Sequence, residues 1–244
     1  GDRDGNPNIT PQVTKNAIVL QTGHFIRAML AMLDELRQAL SVSTRISGVS
    51  KELVASVEKD LSLLPEIEDR FRRINAEEPY RLKATAIRHR LILTQRRHAA
   101  GGPHVDNRDY KNTEQLLADL TMMHRSLVEN RGELIAHGLL ERIIRTVACF
   151  GLTHATMDVR EHSQKHHHTI AQIFDGGISG SYTKASASDR FVMLAEALGA
   201  PATRAFREEN FDDAARNTFG AFSAIRDAQD RFGNDVIETY IISM

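Results

Sequence analysis

The sequence has a single cysteine, Cys149, in 244 residues. One thiol cannot build an intrachain disulfide framework, and such sparing use suits a reducing compartment such as the cytoplasm. An excess of one charge is also missing: 31 Lys and Arg stand against 32 Asp and Glu, a formal net charge of −1. That balance removes the sequence-independent drive toward nucleic acid or an anionic membrane, so any anion site has to be a local cluster. No apolar run approaches the ~18 residues that a membrane-spanning helix needs. A Gly-rich phosphate loop, a nucleophile elbow and a dinucleotide fingerprint are absent as well. The first residue is not Met, no signal-peptide pattern follows it, and the last residues form the uncapped apolar run Tyr240-Ile241-Ile242-Ser243-Met244. Termini are usually polar and frayed, so the expectation is an internal piece of a longer chain.

What is present is helical periodicity on an ordinary globular composition, 41% hydrophobic and 26% charged. Thr10 is an N-cap candidate, with Pro11 at the first helical position where its missing N–H costs nothing. Ile26, Met29, Leu30, Leu33, Leu36 and Leu40 then recur at three- and four-residue spacing until the Ser/Thr-rich stretch 41–50. Leu53, Val54, Val57 and Leu61 mark a shorter helix. Pro79 opens another, with Tyr80, Ala84, Ile87 and Leu91 inward and a basic exterior of Arg81, Lys83, Arg88, Arg90, Arg96 and Arg97. Residues 99–109 read as a loop, and Asn112 caps a helix carrying Leu116, Leu117, Leu120, Met123 and Leu127. After a break at 132–138, Leu139, Leu140, Ile143, Ile144 and Val147 form the next stripe. Cys149 at its end is expected to be a buried, inert thiol.

At 153–160 the period changes to two. His154, Thr156, Asp158 and Arg160 fall on one face, and Thr153, Ala155, Met157 and Val159 on the other. A polar face ending in Asp and Arg is the pattern of a barrel strand that delivers side chains to a site at its C-terminal end. Helix is expected again at 162–174, a loop at 176–181, a helix capped by Ser188 with Phe191, Leu194 and Leu198, and a helix at 212–231 closed by Gly233. Tyr240 to Met244 reads as a buried strand. The expected fold is mainly α, with helical segments around part of an eight-stranded (β/α) barrel of which about three strands lie here.

Asp2, Arg3, Asp4 and Asn6 crowd the opening loop. Their alternation matches the first ligands of an EF-hand, but Pro7 stands where the turn glycine belongs and Val13 where the bidentate Glu belongs. The remaining readings are an Asx-rich turn and a loop that orients an anionic substrate. His162 and His166 lie one helical turn apart, yet no third ligand accompanies them, and a hydrogen-bonding face fits better than a metal site. Arg160 is the strongest single residue, because its planar cation matches phosphate and carboxylate. The competing reading pairs it with Asp158 to stabilise the strand end.

Gly1-Asp2-Arg3-Asp4-Gly5-Asn6-Pro7, then Glu78-Pro79-Tyr80-Arg81, then Phe150-Gly151 with Met157-Asp158-Val159-Arg160-Glu161-His162-Ser163 and His166, resemble phosphoenolpyruvate carboxylase in order and separation. Tyr240-Ile241-Ile242-Ser243-Met244 resembles a strand end of the same family, and the helical middle looks actinobacterial-like. The resemblance implies residues 1–244 as an internal portion of one catalytic domain that lacks its N- and C-terminal parts. It implies carboxylation of phosphoenolpyruvate by bicarbonate to oxaloacetate and phosphate, through carboxyphosphate and the pyruvate enolate. It further implies Mg²⁺ or Mn²⁺ bound by ligands outside this segment, a homotetramer, and allosteric control by dicarboxylates and metabolic activators. Neither nucleic acid nor membrane is implied as a partner. Carried over residue by residue, Arg160 and Arg3 are catalytic candidates. Asp2, Asp4, Asn6, Asp158, His166 and Ser243 line the site. Glu161-His162 departs from the family's more usual Gln-Glu. The family's catalytic histidine, lysine, metal carboxylates and Gly-Arg-Gly-Gly loop have no counterpart here, so the isolated segment is expected to be inactive. The alternative is a helical interaction scaffold that kept the fold and lost the chemistry.

Overall fold

The computed structural model describes residues 1–6, 8–40, 43–44, 48–175, 182–199 and 211–244. The expected loop at 176–181, the position of Pro7 and part of the stretch 41–50 lie outside them. The described structure is mainly helical, and the chain divides into two compact units. No helix among the described residues is long and apolar enough to cross a membrane.

One unit comprises Ala17–Thr156 and Arg231–Val236. It takes most of α1 (Pro11–Ala39), then α2 (Lys51–Leu63), α3 (Asp69–Ile74), α4 (Pro79–Ala100), α5 (Thr113–Glu129), the short turn α6 (Glu133–Ile135), a π-helical turn (Ala136–Leu140) and α7 (Glu141–Phe150). The expected stripes are its core: Ile26, Met29, Leu33, Leu36 and Leu40 from α1 are buried together with Leu53, Val57, Ile87, Leu91, Leu120, Met123, Ile143 and Val147. The caps are local. Thr10 Oγ1 accepts from the Val13 amide at 3.2 Å, Ser50 Oγ from Leu53 at 3.2 Å and Asn112 Oδ1 from Gln115 at 3.2 Å. After α7 the chain turns at Gly151, whose φ of 59° and ψ of −170° belong to glycine. A Cβ there would also sit 3.1 Å from Thr113 Oγ1.

Two expectations fail in this unit. Cys149 is exposed, because it lies two residues past Val147 and therefore on the opposite side of α7. The basic exterior of α4 is not all solvated. Lys83 and Arg90 are buried, since α4 is covered by α2 on one side and α5 on another. Lys83 Nζ lies 2.7 Å from both Asp60 and Asp119, and Arg90 Nη1 lies 2.6 Å from Asp119. The Tyr110 hydroxyl donates to Asp119 at 2.8 Å, and the Arg90 guanidinium sits 4.0 Å over the Tyr110 ring. Burial, with the Asp119 charge beside it, pushes the Tyr110 hydroxyl far above its ordinary pKa.

The other unit comprises Gly1–Asn16, Met157–Asp230 and Ile237–Met244. It holds β1 (Val159–His162), α8 (Ser163–Ile173), α9 (Ala187–Gly199), most of α10 (Asp213–Phe232) and β2 (Tyr240–Ser243). The strands are parallel, pairing Val159 with Tyr240 and Glu161 with Ile242. On the other edge of β1, Asp2 forms a parallel bridge with Arg160, so three extended segments run side by side in the order 1–3, β1, β2. A barrel is not seen among the described residues. The strand expected at 153–160 starts only at Val159: His154 has φ 72°, which extended pairing does not allow. β2 forms as expected but is not buried, Ile241 and Ile242 being 40% and 57% exposed. Ser186 rather than Ser188 caps α9, accepting from Asp189 at 3.2 Å, and Phe191 and Leu198 face outward.

Candidate active site

β1 sorts its side chains by alternation. Val159 and Glu161 point inward and are buried, while Arg160 points outward. The parallel pairing then brings three sequence-distant stretches together, Asp2 beside Arg160 on one edge and β2 on the other. Arg160 Nη2 lies 3.0 Å from Asp4 Oδ2, and its Nη1 lies 3.7 Å from Asp2 Oδ2. Ser243, ending β2, donates its hydroxyl to the same Asp4 oxygen at 2.8 Å. Asp2 Oδ1 accepts from the Asp4 amide at 3.1 Å, which fixes the loop in an Asx turn. The pair of Arg160 with Asp158, the competing reading, does not form among the described residues. Asp158 is exposed, and its carbonyl rather than its carboxylate is engaged, accepting from Gly1 N. Asn6 organises the turn, accepting from the Asn8 amide at 3.0 Å.

Arg3 sits beneath this group. It is 1% exposed, its Nε meets Glu161 Oε2 at 3.1 Å, and its Nη2 donates to the Asn217 carbonyl at 2.9 Å. Its Nη1 is buried without a hydrogen-bond partner among the described residues. Glu161 also accepts from Lys165 at 2.7 Å and from the His162 amide at 3.1 Å. Burial opposes the charged form of Glu161. The hydrogen bonds from Lys165, the His162 amide and Arg3 outweigh it and hold the carboxyl below its ordinary value. Lys165 reaches on to the Arg3 carbonyl at 3.2 Å, so one carboxylate ties the opening loop to β1 and α8.

His166 lies apart from the arginines, in an aromatic cluster. Its ring centroid is 5.5 Å from Tyr240 and 5.9 Å from Phe222, and its Nε2 is 3.4 Å from the Tyr240 hydroxyl. Burial lowers the pKa of His166 and pushes the Tyr240 hydroxyl up to about 12. The structure therefore gathers Arg160, Asp2, Asp4, Ser243 and Arg3, and leaves the Asp158 carboxylate and His166 outside that group. Sequence reasoning missed Glu161 and Lys165. Their four-residue spacing, with Glu161 in register with Val159, was the available signal.

The model of the phosphoenolpyruvate carboxylase family matches residues 1–244, the whole chain. The chain belongs to the phosphoenolpyruvate carboxylase family. Among curated relatives named phosphoenolpyruvate carboxylase, that of Roseiflexus castenholzii is 33% identical over 251 residues, covering 100% of this chain and 27% of the relative. That of Rhodopseudomonas palustris is 34% identical over 248 residues, covering 26% of the relative. The Synechocystis protein is 32% identical over 256 residues, covering 24%. The chain thus spans about a quarter of the length of these phosphoenolpyruvate carboxylases, and they come from several bacterial groups.

Proposed function

We propose that this chain is an internal segment of an enzyme that carboxylates phosphoenolpyruvate with bicarbonate, giving oxaloacetate and phosphate. What carries the reading is the match to the family over all 244 residues, together with Arg160 on the exposed face of the parallel strand β1, its guanidinium beside Asp2 and Asp4. In this proposal Arg160 binds the anionic substrate. Its side chain is 44% exposed, and Asp2 and Asp4 orient the guanidinium while leaving N–H groups free to meet a phosphate or carboxylate. Such fixed cations stabilise charge as it develops on phosphoryl and enolate oxygens.

Arg3 is the second cation of the proposal. A buried N–H left unpaired costs about 1–3 kcal/mol, and Nη1 of Arg3 supports a role in meeting a group from outside the described residues. Asp2, Asp4 and Ser243 position Arg160; Asn6 holds the loop; His166 and Asp158 line the surroundings.

The family's Mg²⁺ or Mn²⁺ does not fit the donors present. Asp4 accepts from Ser243 and is ion-paired with Arg160, Asp2 accepts from the Asp4 amide and faces Arg160 at 3.7 Å, and a guanidinium at the centre repels a dication. Its ligands are proposed to lie outside this segment. The wider proposal is a cytoplasmic, allosterically controlled homotetramer with a (β/α)-barrel core, to which 1–3, β1 and β2 contribute neighbouring strands.

The test is Arg160→Ala in the full-length enzyme. Loss of a charge-assisted contact costs about 1.5–3 kcal/mol, so kcat/KM for phosphoenolpyruvate should fall roughly 10- to 150-fold. Unchanged turnover and substrate dependence would remove Arg160 from the site.

A further inference from the structure

A second group of chemistry-bearing side chains lies in the helical unit, apart from everything used above. His124 on α5, His137 in the π-helical turn and Glu141 at the start of α7 each present a ligand atom, and these atoms all lie within 4.8 Å of one another. His137 Nδ1 is 3.3 Å from Glu141 Oε2. The His124 and His137 rings meet edge to face, with centroids 5.1 Å apart and planes at 78°.

The backbone explains why they converge. α5 packs against both the π-helical turn and α7, which aligns His124 with that junction. Gly138, with φ −94° and ψ −112°, leaves the helical region and re-aims the residue before it. A π-helical turn gives up regular hydrogen bonding, and such turns recur where a side chain must be placed for function. Four-residue spacing brings His137 to Glu141, and the packing of α5 on this junction adds His124.

We propose that His124, His137 and Glu141 form a binding site for a borderline transition-metal dication of the zinc class. Two imidazoles and one carboxylate are the donor set of three-ligand zinc sites that keep a fourth position open. Donors in a tetrahedral zinc site stand about 3.4 Å apart, given bonds of about 2.0–2.1 Å. The His137–Glu141 pair already meets that separation, and rotation of the exposed His137 and the half-buried His124 and Glu141 side chains closes the rest. Mg²⁺ is excluded by the same chemistry, because it demands oxygen ligands in octahedral geometry. The site is independent of the carboxylase reading, since none of its residues belongs to the unit that holds Arg160.

The experiment titrates Zn²⁺ alone into chelator-treated full-length protein by calorimetry. It is repeated on His124→Ala, His137→Ala and the double variant, with thermal melting as a check on folding. One equivalent of Zn²⁺ should bind in the wild type beyond what the double variant binds, and millimolar Mg²⁺ should not displace it. Each single variant should weaken that equivalent at least ~10-fold, the least that loss of an outer-shell partner alone costs. Cobalt substitution adds a signature that a surface ion pair cannot give: a tetrahedral visible absorption band, lost in both single variants and kept in His166→Ala. Identical isotherms for wild type and double variant would overturn the proposal, as would a band lost in His166→Ala instead.

Discussion

Glu161 carries more of the candidate site than its position in the chain suggests. It is fully buried, and it neutralises Arg3 at 3.1 Å while accepting from Lys165 at 2.7 Å. Removing one partner of a buried pair leaves an uncompensated charge, at a cost of about 3–5 kcal/mol. Glu161→Leu should therefore lower the stability of the full-length protein by about that much in urea unfolding. Glu161→Gln should cost less, because an amide oxygen still accepts from Arg3; equal losses would show that the retained acceptor contributes nothing and that the charge alone matters. His98 supplies a pH effect of known sign. Burial, reinforced by the Arg97 and Arg231 guanidiniums, pushes it down to about 3 from an ordinary 6.5. Between those values the unfolded chain binds a proton that the folded chain refuses, so stability falls as pH drops through this window. The slope approaches about 1.4 kcal/mol per pH unit. Hydrogen exchange of α4 at pH 7 and pH 5 should show the loss, and His98→Gln should flatten it.

At the scale of elements, α4 is held by charge as well as by packing. Its apolar face buries Tyr80, Ala84, Ile87 and Leu91, while Lys83 and Arg90 plug into Asp60 of α2 and Asp119 of α5. Lys83→Met should destabilise by about 3–5 kcal/mol, because Asp60 then loses its counter-ion in a dry setting. Lys83→Met combined with Asp60→Leu should recover much of that loss in the same denaturation assay, an apolar replacement of the whole pair being close to neutral. A double variant no more stable than the single one would mean that the pair is not the coupling.

At the scale of the whole molecule, the proposal makes the group around Arg160 one part of a larger catalytic apparatus. The curated relatives are about four times as long as this chain. The purified 244-residue chain should give no detectable oxaloacetate in a coupled assay with phosphoenolpyruvate, bicarbonate and Mg²⁺. Measurable turnover would mean that the segment holds a complete site.

Helices and caps were legible in the sequence because they are local. A stripe such as Ile26, Met29 and Leu33, or a cap such as Asn112, is fixed by spacing and by the nearest few amides. The family, too, was readable from its short motifs. Pairing across more than 150 residues was not: the competing reading offered Arg160 only the nearby Asp158 as a partner, yet the strand alternation and the parallel bridge give it Asp2 and Asp4. Burial of Lys83 was likewise settled by which helices lie alongside α4, which no periodicity encodes. Sequence alone determined the helical elements and the residue types available for chemistry. Only tertiary structure decided which charges meet, because an ion pair depends on distance in space and not along the chain.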